Sequence, residues 1–281
     1  MSGTTYRFSW IREINIGYGK RLLSGETWEL HGGAGVKFLI GQGILELDAT
    51  GDQARVFSSL APVFDIDYGD FENASNGQLP SDAGPLTPVG FGIGVDLGAT
   101  LAIKNKLFAS AAITDIGSMK WDGNLYELND GPLTSISSLG FDNIAFIDQV
   151  QSIGGAEGLV QWTGGSERVT TLPTTGRFGL ALALEKIRAG VDVVTPFNGA
   201  VGSLDQAAIA VGGEFSPVPW LHLQGGFMQG GNYDTKIPAG IRFTLNEGAH
   251  EFGIASRDMI TFFTDNEPTA SFTLGFLRFR F

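Results

Sequence analysis

The chain is predicted to be all-β: a transmembrane antiparallel β-barrel of about 12–14 strands, with short turns at one rim and long loops at the other. Three observations in its 281 residues carry this. Apolar and polar residues alternate with period two through one segment after another. The links between those segments mostly alternate between short and long. Glycine, at 41 residues, is about twice ordinary usage, while charged residues make up 17%.

The alternation begins at 13–22, where Ile14, Ile16 and Tyr18 oppose Asn15, Gly17 and Arg21. In 28–48, Trp28, Leu30, Ala34, Val36 and Phe38 oppose Glu29, His31, Gly33 and Lys37. Segment 54–68 follows, and then 89–103, where Val89, Phe91, Ile93, Val95 and Leu97 face away from four glycines and Asp96. After 106–117, the pair 176–185 and 187–197 reads as a tight hairpin around Lys186, with Arg177, Glu185, Arg188 and Asp192 on its polar face. Segments 205–215, 219–229, 235–244 and 248–258 repeat the pattern and add Glu214, Arg242, Glu251 and Arg257 to that face. With 270–281 the count is roughly twelve, most of them near the ~9–11 residues a tilted strand needs to cross a bilayer.

The links sort into two sets. Ala49–Gln53, Lys104–Asn105, Lys186, Ser216–Val218 and Leu245–Glu247 are short; Gly69–Pro88, Ser118–Thr175, Asn198–Leu204 and Met259–Thr269 are long. Short periplasmic turns alternating with long external loops is the rule for outer-membrane barrels. Leu23–Thr27 and Gly230–Asp234 fall on the long-loop side of that division, yet are short. A soluble β-sandwich would alternate as well. Two features favour the barrel: polar faces that are mostly glycine with isolated charges, as in a crowded lumen, and aromatic residues near strand ends, as in interfacial girdles. The lumen-facing candidates are Lys37, Asp96, Arg177, Glu185, Arg188, Asp192, Glu214, Arg242, Glu251 and Arg257. Their mixed signs allow ion pairs across the lumen.

Several functions are disfavoured. The net charge of −12, without a basic run, argues against nucleic acid. No apolar stretch is long enough for a membrane-spanning helix. Cysteine is absent and the three histidines are far apart, so no metal site, cofactor or catalytic group is expected, and the chain is not expected to be an enzyme. His250 near a rim has no nucleophile motif beside it. The glycines of GFGIGVDLG run straight through an alternating strand and do not form a nucleotide-binding turn. The acidic segment from Asp65 to Asp82 lacks the order of a calcium loop. Within 118–175, residues 140–155 have the spacing of a short amphipathic helix, which would make this insert a lid, a plug or a surface for a protein partner.

The C-terminal segment FTLGFLRFRF resembles the terminal recognition strand of outer-membrane proteins, which implies that Phe279 and Phe281 signal to the barrel-assembly machinery. A bulge near Phe276–Leu277 would reconcile its two parities. The motifs EINIGYGKRL, GAGVKFLIGQGI, GFGIGVDLGATL and ASAAITDIGSMKWDGN, through Glu13, Lys37, Gly41, Asp96, Leu97, Gly98, Asp115, Gly117 and Trp121, resemble a family of uncharacterised outer-membrane proteins of Bacteroidetes-type bacteria. That resemblance implies a barrel like those of fatty-acid transporters and PorV, in contact with outer-membrane lipid. It implies either passive passage of a small or hydrophobic solute, or a non-conducting, secretion-associated barrel that binds a protein partner. Family members usually begin with a signal peptide and further strands. TYRFSWIRE at the start has no such signal, so the expectation is a fragment.

Overall fold

The computed structural model describes residues 4–50, 53–66, 75–132, 162–231, 233–245, 250–256, 258–259 and 272–275. Its strands are β1 (Thr4–Ser24), β2 (Trp28–Thr50), β3 (Gln53–Leu60), β4 (Gly90–Ile103), β5 (Leu107–Trp121), β6 (Leu125–Pro132), β7 (Thr163–Gly164) and β8 (Arg168–Thr171). They continue as β9 (Thr175–Ala183), β10 (Ile187–Pro196), β11 (Ala208–Val218), β12 (Leu221–Gly230), β13 (Tyr233–Lys236), β14 (Ala239–Leu245), β15 (His250–Ser256) and β16 (Phe272–Gly275). All sixteen belong to one sheet, and every pairing is antiparallel.

Eleven of them form the wall, in the order β1-β2-β4-β5-β9-β10-β11-β12-β14-β15-β16. Among the described residues β1 and β16 are each paired along one edge only, so the sheet is open between them. Residues in register share a face, and that makes the alternation continuous from strand to strand. Ile16, Val36 and Val95 lie side by side, as do Phe178, Val193 and Ile209, and Leu223, Ile241 and Ile254. These residues point outward, and most are exposed, Ile16 by 66% and Ile254 by 56%. So large a continuous apolar face on a sheet one layer thick is the outer surface of a membrane barrel. At one rim Trp220 stacks on Phe243 (6.3 Å) and Phe243 on Phe252 (4.9 Å), an interfacial aromatic girdle.

The registers correct the division of links made from the sequence. Trp28 pairs with Ile103, Ile103 with Leu107 and Leu107 with Leu182, so the Gly25–Thr27 turn lies at the same rim as the other short turns. The Ala49–Gln53 connection lies at the opposite, long-loop end. The reason is that β2 is 23 residues long: Trp28–Gly41 pairs with β4, whereas Gly43–Thr50 runs past the wall and pairs with β3. Segment 54–68 is therefore not a wall strand. Alternation alone does not distinguish a strand crossing a membrane from one that extends beyond it.

That extension, with β6 and β7, forms a cap packed on both faces. A buried cluster of Ile44, Phe57, Val89, Met119, Trp121 and Leu125 fills the inner side, and Leu45, Val56, Tyr126, Leu128 and Trp162 fill the other. Phe64 adds edge-on contacts to Phe8 and Trp10, both at centroid distances near 5.7 Å and 5.6 Å. The buried core sits here because the wall below gives its apolar face to lipid. Residues 140–155, where a helix is expected, lie outside the described residues.

Candidate functional site

The candidate site is the inner face of the wall, which divides into two regions. In the first, β9 to β15, the inward positions are small: Ala181, Gly190, Gly212 and Gly226 lie in register across four strands. A cavity of about 900 Å³ rests on them. A Cβ built on Gly212 would meet only a carbonyl oxygen, at 3.7 Å. Glycine at this position leaves room on the inner face rather than letting strands approach.

Towards the short-turn rim this cavity meets a ring of polar side chains built around Glu214. One Glu214 oxygen accepts from Arg242 Nη2 at 2.8 Å and from Gln224 Nε2 at 2.8 Å. The other lies 3.8 Å from Arg188 Nη1 and 3.7 Å from His222 Nδ1. Arg242 also donates to Glu251 at 3.2 Å, and His222 is hydrogen-bonded between Ser216 (2.7 Å) and Thr244 (3.0 Å). Register explains the assembly: Arg188, Glu214 and Gln224 are direct neighbours on β10, β11 and β12, with Arg242 beside His222 on β14. The pairs run along the wall between nearby strands, not across the lumen. Arg188 stays largely exposed on the cavity side, at 69% of its side chain.

The second region lies on β1, β2, β4 and β5. Lys37 is 7% exposed. Its Nζ sits 2.6 Å from Asp115, 3.1 Å from Asp96 and 3.7 Å from Glu13. A bulge brings these groups together. The β4–β5 register slips between Val95 and Leu97, leaving Thr114 and Asp115 opposite Asp96. Asp115 takes a left-handed backbone (φ 61°), a conformation aspartate tolerates better than most residues, and its amide donates to Asp96 Oδ1 at 2.8 Å. The neighbouring ladder is interrupted at the same level. β5 pairs with β9 up to Thr114 and with β8 from Ser118 onward. The gap is sealed by Thr174 Oγ1 donating to the Asp115 carbonyl (2.9 Å), by Leu172 N donating to Gly117 O (3.0 Å), and by Asn198 donating to Leu172 O (2.8 Å). Directly above, Leu39, Met119, Trp121 and Leu172 pack beneath the cap, with Val201 of the β10–β11 loop against them. The long-loop end of this half is filled. In the cap itself, burial pushes the Tyr6 phenol above its ordinary range.

Of the residues singled out from the sequence, Lys37 and Asp96 are brought together, as are Arg188, Glu214, Arg242 and Glu251. Arg177 and Asp192 occupy inward positions on β9 and β10, and Asp192 lines the cavity. Glu185 lies in the turn after β9, because the strand ends at Ala183. Arg257, Phe279 and Phe281 lie outside the described residues, and so does the middle of the 118–175 insert, residues 133–161. Sequence reasoning did not place Glu13 and Asp115 in the lumen. Asp115 sits at a bulge, where period-two counting loses parity. Gln224 and His222 alternate onto the same inward face, but a set chosen from Lys, Arg, Asp and Glu does not contain them. Among the described residues no cluster of histidine and acidic side chains is arranged to hold a metal ion.

The chain is similar in structure to the toluene transporter TbuX of Ralstonia pickettii, with a TM-score of 0.44 and 11% identity over 90% of this chain and 64% of that one. It is similar to the toluene transporter TodX of Pseudomonas putida, with a TM-score of 0.43 and 10% identity over 88% of this chain and 63% of that one. The monoaromatic hydrocarbon channel CymD follows at 0.35, with 11% identity over 90% and 81% of the respective chains. The chain thus spans less than two thirds of either toluene transporter. No curated protein sequence matches it. A family model does match, over residues 1–256, and the chain belongs to the family of unknown function DUF5723.

Proposed function

We propose that the protein sits in the bacterial outer membrane and lets a small, apolar or amphipathic solute pass along its inner face without chemical change. The observation that carries this reading is the cavity of about 900 Å³, whose floor is glycine and alanine and whose short-turn end is ringed by Arg188, Glu214 and Arg242. Its size is that of pockets which take small molecules. An apolar floor beside a few fixed charges suits a solute with an apolar body and one polar end. Passage is then set by the space over Gly212 and by the charge balance around Glu214.

The test is to fold the protein into lipid vesicles and planar bilayers and measure solute uptake and conductance. Gly212→Leu and Ala210→Leu place bulk in the cavity without a backbone clash at Gly212. Both should reduce uptake while the gel mobility shift of the unboiled, folded barrel is kept. Unchanged uptake in both variants would refute passage along this face. A second reading, a non-conducting barrel that binds a protein partner, is favoured by the packed cap. Val201 and the Leu39–Trp121 cluster fill the long-loop end of one half of the wall. Purified protein that never conducts, but retains one stable partner on purification, would establish that reading instead.

A further inference from the structure

We propose that the outward face of the wall holds one phospholipid, with an acyl chain in a groove across β1, β2, β4 and β5 and its phosphate on Lys20. This rests on the reading of the outward apolar face as membrane-facing. The groove measures about 620 Å³. Its floor is Ala34, Ala99 and Ala111, with Gly32 beside them, and its sides are the larger Tyr18, Leu22, Leu97 and Phe178. All of these occupy the outward parity of their strands: Ala34 pairs with Leu97, Ala99 with Ala111, and Ala111 with Phe178. On β11, β12 and β14 the same face carries Val211, Phe227 and Ile241, branched and aromatic side chains that flank its small residues and would hold a chain off the wall, and no unpaired cation lines it there among the described residues. Over the groove, small residues leave a depression that lipid must fill, because an empty apolar void forfeits its dispersion contacts.

Charge fixes the occupant. Lys20 lines the groove on β1, is exposed, and makes no ion pair or hydrogen bond among the described residues. Its neighbour Arg21 points inward and is held by Glu29 at 2.8 Å, so the two cations serve different faces. Lys20 pairs with Gly32, four residues from the rim residue Trp28. At about 3.3 Å per residue and a tilt near 45°, its Cα lies roughly 9 Å inside the rim. A lysine stem of about 6 Å reaches back to the headgroup level and leaves its methylenes in the groove. A cation at that depth, over a slot for a hydrocarbon chain, is complementary to a phosphate with an acyl tail. The rim is the short-turn, periplasmic one, so the lipid comes from the inner leaflet.

The experiment uses the full chain folded in a neutral maltoside detergent. Its fold is confirmed by the gel shift on boiling, and lipid adducts are counted by native mass spectrometry. The probes are dioleoyl phosphatidylglycerol and dioleoylglycerol, which has the same chains and no phosphate. Wild type should keep a single phosphatidylglycerol and no dioleoylglycerol. Lys20→Gln should weaken retention roughly fivefold, and Ala111→Phe, which fills the groove, should abolish it. Ile241→Phe, outward on β14, should bind like wild type. Equal retention in Lys20→Gln and Ala111→Phe overturns the proposal, as does equal retention of dioleoylglycerol. Equal loss in Ile241→Phe overturns it too, since the lipid would then be bound by the annulus as a whole. A wild-type chain with no gel shift fails the barrel reading itself, and is distinguished by that shift before any lipid is added.

Discussion

Replacing Lys37 by methionine tests whether the charged cluster at the β4–β5 bulge braces the wall. The change keeps the length of the side chain and removes its charge. Lys37 is nearly buried, and it is the cation between Asp115 at 2.6 Å, Asp96 at 3.1 Å and Glu13 at 3.7 Å. Removing one partner of a fully buried pair costs about 3–5 kcal/mol, mostly because a charge is left unpaired. Here the carboxylates are 28%, 24% and 39% exposed, so water solvates part of that charge. The expected loss is about 2–3 kcal/mol, or roughly 30- to 150-fold in the folding equilibrium. Asp115→Asn is the informative partner, because asparagine also tolerates the left-handed backbone that residue 115 adopts. The double variant should be more stable than the two single losses added together predict, by about 1 kcal/mol or more. The assay is reversible urea unfolding in lipid vesicles, followed by tryptophan fluorescence, with the denaturant slope unchanged. A loss below about 0.5 kcal/mol in Lys37→Met, or strict additivity in the double variant, would refute the bracing role.

Three further outcomes follow from the same geometry. Gly117→Ala should prevent folding or cost more than about 3 kcal/mol, since its Cβ would collide with the Ile93 carbonyl oxygen, while Gly225→Ala, with open space around it, should be neutral in the same gel-shift assay. Charge reversal at Arg188 or Asp192, both facing the cavity, should change ion selectivity in planar bilayers, and unchanged selectivity would remove them from the path. Phe243→Ala should cost about 2–4 kcal/mol of unfolding stability by deleting a ring stacked on both Trp220 and Phe252, and a loss under 1 kcal/mol would deny the girdle that role.

Much of this architecture is legible in the sequence because one physical rule, period-two alternation, governs every wall strand. Phe178, Leu180 and Leu182 on β9 and Ile209 and Val211 on β11 are apolar outward because one face meets lipid, and the residues between them are small or charged because the other meets the lumen. The rule fails where strands leave that environment. β3 alternates like a wall strand yet packs in the cap, so alternation alone puts its hairpin at the wrong rim. Asp115 loses parity because a bulge inserts a residue. Which inward charges meet depends on register, and register is fixed by long-range pairing that a single sequence does not display. Arg242 and Glu214 are 28 residues apart in sequence and 2.8 Å apart in space.

The two inner regions also use glycine in opposite ways, and this bears on what the wall can do. On β4 and β5, Gly90, Gly92 and Gly117 face backbone or side-chain atoms closer than 3 Å to any added Cβ, so glycine there permits tight apposition beneath the cap. On β11, Gly212 faces space, with one carbonyl oxygen at 3.7 Å from an added Cβ. A wall built only for rigidity would fill that space with interlocking side chains, as the cap does with Ile44, Phe57 and Trp121. On β1, β2, β4 and β5 the long-loop end is packed above the Lys37 cluster, while β9 to β15 keep a cavity bordered by charges that satisfy one another along the wall. Paired in this way, Glu214 and Arg242 present little uncompensated field to whatever occupies the cavity. That combination leaves the apolar floor as the dominant surface, and it is the ground on which we propose an apolar or amphipathic solute rather than an inorganic ion.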